Sequence, residues 1–441
     1  MTTPPTRASP TLRSLLTGLD GVDPDALDLT IHPGDAMYGF AAEQVGGVRE
    51  QARLEYFRSG HNVWQVVDAA LRQILGPRWP KRRPARVLDF GAGHGRVTRF
   101  LLPQLGASRL TSTEADPSAV EFLRAHFGLA AHQTPSDPSG VDLRHRFEQP
   151  EGFDAILALS VLTHLPEPAF EAWLKRWLDA LTVEGGVLLF TTLGPATLLP
   201  GRSMPRSGFH FERISESRIL DLDEYGTAWV TRDRVGRTLD RLTRGLARWK
   251  HVPRGVWNLQ DLWLVTLDPR VHWGGDFELA VDLPTGQLEA CRADGSILVA
   301  SGWATGGRRP PRPARVELLL DGELVAEMET SGHRADAIEH LDLEEGAQVA
   351  AGFELRHRSN VPIDPATQVR IEVVDDVDPA RSNGRRHVLH AGSVEGTELF
   401  LQMRGMLRDA DHYRNQVEIF EQSRWGKMRR IWMSWKRRLR P

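Results

Sequence analysis

Three glycines, Gly91, Gly93 and Gly95, follow the apolar run Val87-Leu88 and the acid Asp89 in the stretch VLDFGAGHGRVTRF. An apolar strand ending in a carboxylate, a glycine turn and an amphipathic run describe a nucleoside held on a strand-to-helix turn. A dinucleotide fingerprint needs its third glycine at position 96, which is arginine. The pattern is instead D-x-G-x-G-x-G, with the acid two residues before the first glycine. A carboxylate there repels a pyrophosphate, which wants bare N–H groups and a helix N-terminus. It suits a ligand bearing an ammonium and a sulfonium but no phosphate. A second acid, Glu114 in TSTEAD, is placed to accept hydrogen bonds from two ribose hydroxyls. S-adenosylmethionine meets these conditions better than a nicotinamide dinucleotide. The plainer reading has the glycines making only a tight turn and Glu114 standing as a solvated acid at a helix start.

The frame around these residues alternates. Val87–Phe90 reads as a buried strand, Gly95–Gln104 as a helix, Arg109–Thr113 as a strand and Ser118–Phe127 as a helix opened by Asp116-Pro117. Phe153–Ser160 is a strand, Glu167–Ala180 a helix and Gly186–Thr192 a strand, with Asp261–Leu267 closing the unit as an edge strand. Such alternation predicts an α/β fold, a Rossmann-like doubly wound parallel sheet covered by helices on both faces. Before it, residues 1–30 read as loose, and two helices are expected near 40–57 and 61–75.

VLDFGAGHGRVTRF, TSTEAD and FDAILALSVLTHLPEPAFEAWLKRWLDALTVEGGVLLFTTLG together resemble the class I S-adenosylmethionine-dependent methyltransferases over roughly residues 50–270. The resemblance implies that Asp89, with Gly91, Ala92, Gly93 and Gly95, surrounds the methionine part of the cofactor, that Glu114 binds the ribose, and that Ser160 lines the methionine side. Residues 131–152 depart from the family pattern at the adenine contact, where Gln133 and Asp137 are the polar residues on offer. Methyl transfer from a sulfonium is an in-line displacement that asks mainly for alignment and dryness. For an oxygen nucleophile a histidine base helps, and His164 in SVLTHLP stands just past a strand end; packing before Pro166 is the competing reading. His94 and His210 are weaker candidates, and Tyr38, Tyr56 and Trp64 could close a lid or pack a core.

The chain has 441 residues, too many for one ordinary core, with 41% hydrophobic and 26% charged residues. We expect an N-terminal helical lid region over 1–80, the cofactor-binding core over 81–272, a small all-β sandwich over 273–395 and a C-terminal helical tail over 396–441. Short β-rich runs from Phe277 onward, with Asp321-Gly322 between two of them, carry the sandwich. GGRRPPRPAR (306–315) reads as an exposed loop, and Trp303 as core rather than a sugar platform. The single cysteine, Cys291, excludes an intramolecular disulfide, and no metal cluster is evident.

The net charge is −3, yet residues 424–440 hold eight Lys or Arg and no acid, leaving −11 for the remainder. Trp425, Met428, Trp432, Trp435 and Leu439 share one face of this basic helix, which suits an anionic membrane surface; docking on the same chain or a partner is the second reading, and nucleic acid the least favoured. Leu399, Met403, Met406, Ala410, Tyr413, Val417 and Phe420 form a seam for a homo-oligomer or a glycosyltransferase partner. MTTPPTRASPTLRSLL lacks a signal-peptide core, and no run reaches the roughly 20 apolar residues a span needs, so a cytoplasmic protein, peripheral at the inner membrane face, is expected. The β part and tail also resemble accessory pieces of bacterial cell-surface polysaccharide enzymes. That resemblance implies methylation of a hydroxyl on a surface glycan or its lipid-linked precursor. The alternatives are a lipid, quinone or secondary-metabolite methyltransferase, or a non-catalytic scaffold of a polysaccharide assembly complex.

Overall fold

The structure, a computed structural model, describes residues 8–406 except 77–78, 80–84, 136, 199–200, 216–219, 272, 274–276, 342, 344–346 and 379–380. It opens with helices α1 (Pro10–Gly18), α2 (Ala36–Gln44) and α3 (Arg49–Leu75). The loose segment expected over residues 1–30 is therefore corrected for Ser9 to Gly18, with residues 1–7 outside the described residues: Ser9 caps α1 by accepting from the Leu12 N–H, and Leu12, Leu15 and Leu16 are buried. Nor does the helical pattern break between 57 and 61. Gly60 sits inside α3 because a Cβ there would lie 2.6 Å from the Arg96 carbonyl oxygen. It marks a close approach rather than an end.

The expected alternation follows, with a strand β3 and a short helix α6 that the sequence reading did not place: β1 (Val87–Phe90), α4 (Thr98–Leu105), β2 (Leu110–Glu114), α5 (Pro117–Phe127), β3 (Ala130–Gln133), α6 (Leu143–Arg146), β4 (Ala155–Ala158), α7 (Glu167–Ala180) and β5 (Val187–Leu193). These five strands are parallel in the order β3-β2-β1-β4-β5. Beyond them lie β6 (Phe209–Glu212), β7 (Thr227–Val230), α8 (Arg232–Thr243), β8 (Arg248–Val256) and β9 (Gln260–Thr266). The strand expected at the edge is interior: β9 runs antiparallel between β5 and β8. The edge is β8, whose sequence RWKHVPRGV carries the charges and proline that blunt an open strand and hide it from a hydrophobic pattern.

Side chains alternate across this sheet into two cores. Val87, Leu157, Leu189 and Leu264 face α3, α4 and α5, whereas Leu88, Ile156, Phe190 and Trp263 face α7 and α8.

The chain continues through α9 (Phe277–Val281), β10 (Thr285–Asp294), β11 (Ile297–Thr305), β12 (Arg315–Leu320), β13 (Glu323–Glu329), β14 (Ser331–His333), α10 (Ala335–Leu341), β15 (Ala350–Arg358), β16 (Gln368–Val374) and β17 (Arg386–Ser393). They form two antiparallel four-stranded sheets, β10-β11-β15-β14 and β13-β12-β16-β17, that share a core containing Leu298, Ala300, Val316, Ile371 and Leu389. Asp321 and Gly322, both at positive φ, make the β12–β13 hairpin turn. Trp303 is buried, as expected of a core residue.

The 306–315 segment is not an exposed loop. Gly306, Gly307, Arg312 and Ala314 are buried, and the Arg312 guanidinium lies between Asp282 (3.1 Å) and Asp375 (2.8 Å). A Cβ on Gly307 would come 2.2 Å from both Arg312 and Asp282, so the glycine admits the pair.

The three parts are sewn together. Helix α1 packs on β16 and β17, where Arg370 donates to the Ser14 carbonyl (2.7 Å) and the Thr17 hydroxyl (2.8 Å). Val388 and Ala391 of β17 join the same core as α3 and the parallel sheet. Residues 394–406 are helical, with Leu399 and Met406 exposed. The expected seam beyond Met406 (Ala410, Tyr413, Val417 and Phe420) and the whole basic stretch 424–440 lie outside the described residues. Among the described residues no helix is long and apolar enough to cross a membrane, and no group of side chains suits a metal ion.

Candidate active site

The glycine turn sits at the C-terminal edge of β1, where the N–H groups of Gly91 and Ala92 both donate to the Thr113 carbonyl, at 2.9 and 3.0 Å. Open parallel sheets hold their ligands along this edge. The three glycines have φ of +74°, +56° and +79°, a region that L side chains avoid. Two are also closed by packing: a Cβ on Gly91 would meet Val161 at 2.5 Å, and one on Gly95 would meet Phe127 at 2.4 Å. Gly93 faces open space.

Two carboxylates bracket the turn. Asp89 is buried and accepts from the Thr98 hydroxyl at 2.6 Å. Glu114 accepts from the Gly93 N–H at 2.8 Å and the Ala115 N–H at 2.7 Å. Burial pushes Asp89 up to about 6, opposed by the Thr98 hydrogen bond and reinforced by the Glu114 charge. Burial likewise raises Glu114, against the pull of backbone N–H groups at Gly93, Ala115 and Asp116. Both acids thus rest on neutral donors, short of positive charge, beside a glycine that leaves room. A cationic, phosphate-free nucleoside fits this arrangement: its charge would favour the ionised acids, and its bulk would find space over Gly93.

Ser160 follows β4 and adopts φ +59°, a strained conformation for a serine. Its N–H donates to the Thr191 hydroxyl (2.7 Å), and its own hydroxyl pairs with the Gln260 amide at 3.0 and 3.1 Å. The structure thereby brings Asp89, Gly91, Ala92, Gly93, Gly95, Glu114 and Ser160 to one edge of the sheet.

His164 stands in the same loop. Its Nδ1 lies 2.9 Å from the Gly226 carbonyl and its ring stacks on Tyr225, centroids 4.4 Å apart. His94 is buried, stacked at 4.4 Å on His32 and edged by Phe122. His210 bonds Glu212 at 2.9 Å in a surface network with Arg202. Tyr56 and Trp64 are buried, with the Tyr56 hydroxyl donating to Asp35 at 2.6 Å, so these rings are core. Asp137 turns to Ser139, while the Gln133 amide reaches the Ala115 carbonyl at 3.4 Å, next to Glu114.

Several partners had no sequence signal. Thr98 lies within the first turn of an ordinary amphipathic helix, and Gln260 is 100 residues from Ser160. The buried pair His251–Asp261, at 2.9 Å, joins β8 to β9, and Asp261 packs beside Gly194 at the end of β5. Trp257, under the Arg96 guanidinium at 4.7 Å, belongs to the β8–β9 turn.

Residues 88–188 match the family model described as a methyltransferase domain. The ubiquinone biosynthesis O-methyltransferase of Xanthomonas campestris pv. campestris is 34% identical over 110 residues, 25% of this chain and 43% of the relative. That of Xylella fastidiosa is 30% identical over 146 residues, 29% of this chain and 55% of the relative. The chain thus spans about half the length, or less, of these curated relatives. Among solved structures, a SAM-dependent methyltransferase of Leishmania major is 19% identical, covering 52% of this chain and 82% of that one, with a TM-score of 0.32. The 1,6-didemethyltoxoflavin-N1-methyltransferase of Burkholderia thailandensis, solved with S-adenosylhomocysteine, is 18% identical, covering 54% and 93%, with a TM-score of 0.30. The methyltransferase-domain match thus takes in the glycine turn, Asp89, Glu114, Ser160 and His164.

Proposed function

We propose that the protein transfers a methyl group from S-adenosylmethionine to a hydroxyl of its acceptor. The observation that carries this reading is the pair of buried acids, Asp89 and Glu114, bracketing a glycine turn open only at Gly93. When bound, the cofactor supplies a methyl group on a positively charged sulfur, already activated for displacement. Glu114 would receive the ribose hydroxyls. Asp89 and Ser160 would hold the methionine side, with Thr191 and Gln260 fixing Ser160 in its left-handed conformation.

His164 is the proposed base. The Gly226 carbonyl, 2.9 Å from Nδ1, orients the ring at the end of the loop after β4. The Tyr225 face keeps the ring from turning.

For the acceptor, we favour a surface glycan or its lipid-linked precursor, supported by the two β sheets packed around the domain and by the sequence resemblance of the C-terminal part. The basic 424–440 stretch would hold the protein at an anionic inner membrane face, and the 399–420 seam would engage a second copy or a glycosyltransferase. A quinone is the second reading, supported by the names of the curated relatives.

Calorimetric titration of the wild type with S-adenosylmethionine, beside Asp89→Ala and Glu114→Ala, tests the cofactor site. Binding that is absent, or equal in all three, removes it. Incubation with radiolabelled cofactor and separate lipid-linked glycan and quinone fractions then sorts the acceptors. Label entering only the quinone rejects the glycan.

A further inference from the structure

Asp89 and Thr98 stand on the two elements that the glycine turn joins. Asp89 lies in β1, inside the parallel sheet, with Ser112 of β2 and Leu157 of β4 as its neighbours in register. Thr98 is the first residue of α4. The next residue, Arg99, fastens that helix end: its guanidinium donates to the carbonyls of Gly95 (3.1 Å), Asp28 (2.8 Å) and Thr30 (3.1 Å).

Threonine near a helix start commonly caps the backbone, but Thr98 does not. Its hydroxyl donates to Asp89 Oδ2 at 2.6 Å, with both residues buried. A β-branched side chain in a helix has few rotamers, so the backbone of α4 sets the direction of this hydroxyl. Ser112, the register partner of Asp89 on β2, has a buried hydroxyl that makes no hydrogen bond. Among the described residues, Thr98 alone donates to the Asp89 carboxylate.

The charges around Asp89 do not include a paired cation. From β2 it faces Glu114, another acid. On the turn and α4, Arg96 donates to the Ser59 hydroxyl at 3.1 Å and lies over Trp257, Arg99 is turned to its three carbonyls, and His94 is stacked on His32. Strand β4 carries no ionisable side chain, and the loop after it brings Ser160 and His164. Burial raises Asp89 to about 6, the Thr98 hydrogen bond opposes that rise, and the Glu114 charge adds to it. A hydroxyl donor favours the ionised carboxylate over the neutral acid.

We propose that Thr98 is a positioning residue for the cofactor: its hydroxyl fixes Asp89 by one oxygen and leaves the other, charged, for the cationic methionine end of S-adenosylmethionine. The inference rests on the cofactor reading above and adds what keeps a buried acid without a cation ionised near neutral pH. Without the hydroxyl, burial and Glu114 act unopposed. Asp89 then keeps its proton, and a cationic ligand meets a neutral group.

The test compares wild type, Thr98→Val and Thr98→Ser by calorimetric titration with S-adenosylmethionine between about pH 5 and 9. We expect the midpoint of affinity against pH to rise by about one unit in Thr98→Val and to return in Thr98→Ser, which keeps the donor. The loss of affinity is then about fivefold greater at pH 6 than at pH 8. Thermal unfolding of the free proteins gives a second readout. Both lose stability as pH rises toward the folded value of Asp89, and the variant goes on losing it after the wild type levels off. The variant's deficit should therefore widen from about pH 5 to pH 8, whereas a deficit from lost packing alone is the same at every pH. Should Thr98→Val fail to fold by circular dichroism, Thr98→Ala removes the same donor and carries the same expectations. A midpoint that stays put without the hydroxyl, or that serine does not restore, overturns the proposal, and so does a deficit independent of pH. Absence of binding by the wild type at every pH instead removes the cofactor reading, and the unfolding comparison still reports whether Thr98 governs the Asp89 proton.

Discussion

The Ser160 hydroxyl and the Gln260 amide meet at 3.0 and 3.1 Å across a separation of 100 residues, and Ser160 holds φ +59° while they do. The contact ties the loop after β4 to the first residue of β9. Replacing the amide by an apolar chain of similar length, Gln260→Met, should let the Ser160 loop relax. We expect cofactor affinity to fall about five- to tenfold, the worth of about one neutral hydrogen bond, with little change in melting temperature. Calorimetry beside thermal unfolding checks this; a large loss of stability with unchanged affinity contradicts it.

The glycines of the turn should separate binding from folding. Gly95→Ala forces a Cβ to 2.4 Å from Phe127 at φ +79°, and should destabilise the fold by several kcal/mol. Gly93→Ala has open space and should cost only about 1 kcal/mol in stability, yet it fills room reserved for ligand. Melting curves and cofactor titrations of the two variants are expected to rank in opposite orders.

Asp89, raised to about 6 by burial, gives the cofactor a pH dependence. A cation binds the ionised acid, so affinity should fall about tenfold per pH unit below 6 and level off above it. Asp89→Asn should bind weakly and show no such dependence on Asp89. The sign for stability is the reverse. The folded state holds this proton more tightly than the unfolded chain, so Asp89 destabilises the free protein as pH rises from about 4 to 6. Asp89→Asn should therefore melt higher than the wild type at pH 8.

Acid should open the junction of α3 with β17. Burial lowers His61 to about 4 and His390 to about 3, and drives His387 well below its usual value. All three are neutral in the fold, whereas the unfolded chain protonates them near pH 6.5. Stability is thus lost as pH falls below about 6.5, by about 1.4 kcal/mol per unit for each histidine that titrates. Melting temperatures from pH 7.5 to 5.5 should drop, and His390→Asn should flatten the slope. An unchanged slope would show that this histidine stays protonated in the fold.

Much of the cofactor half was legible because its strands are short apolar runs and its turn residues are dictated chemically. Helix α7 was read to the residue, since Pro166 and the spacing of Phe170, Trp173, Leu174, Trp177 and Leu178 mark one buried face. What escaped is structure imposed from a distance. Helix α1 is short and preceded by Pro/Thr-rich sequence, and it is held by partners such as Arg370 and Gln368 some 350 residues away. Strand β8 is charged because it is an edge. Arg312 reads as surface charge until Asp282 and Asp375 enclose it. Gln260 and Trp257 became site residues only when the β8–β9 turn closed.

The seating of α1 against β16 and β17 also sets how the chain can be divided. A cut near residue 272, where the composition changes, would strip the opening helix of its seat and uncover α3 where Val388 and Ala391 cover it. Evolutionary or laboratory shuffling of the front half onto another back half would have to carry that seat along. The boundary visible in composition is accordingly not a boundary of cooperative unfolding, and the polypeptide should melt in one transition rather than two.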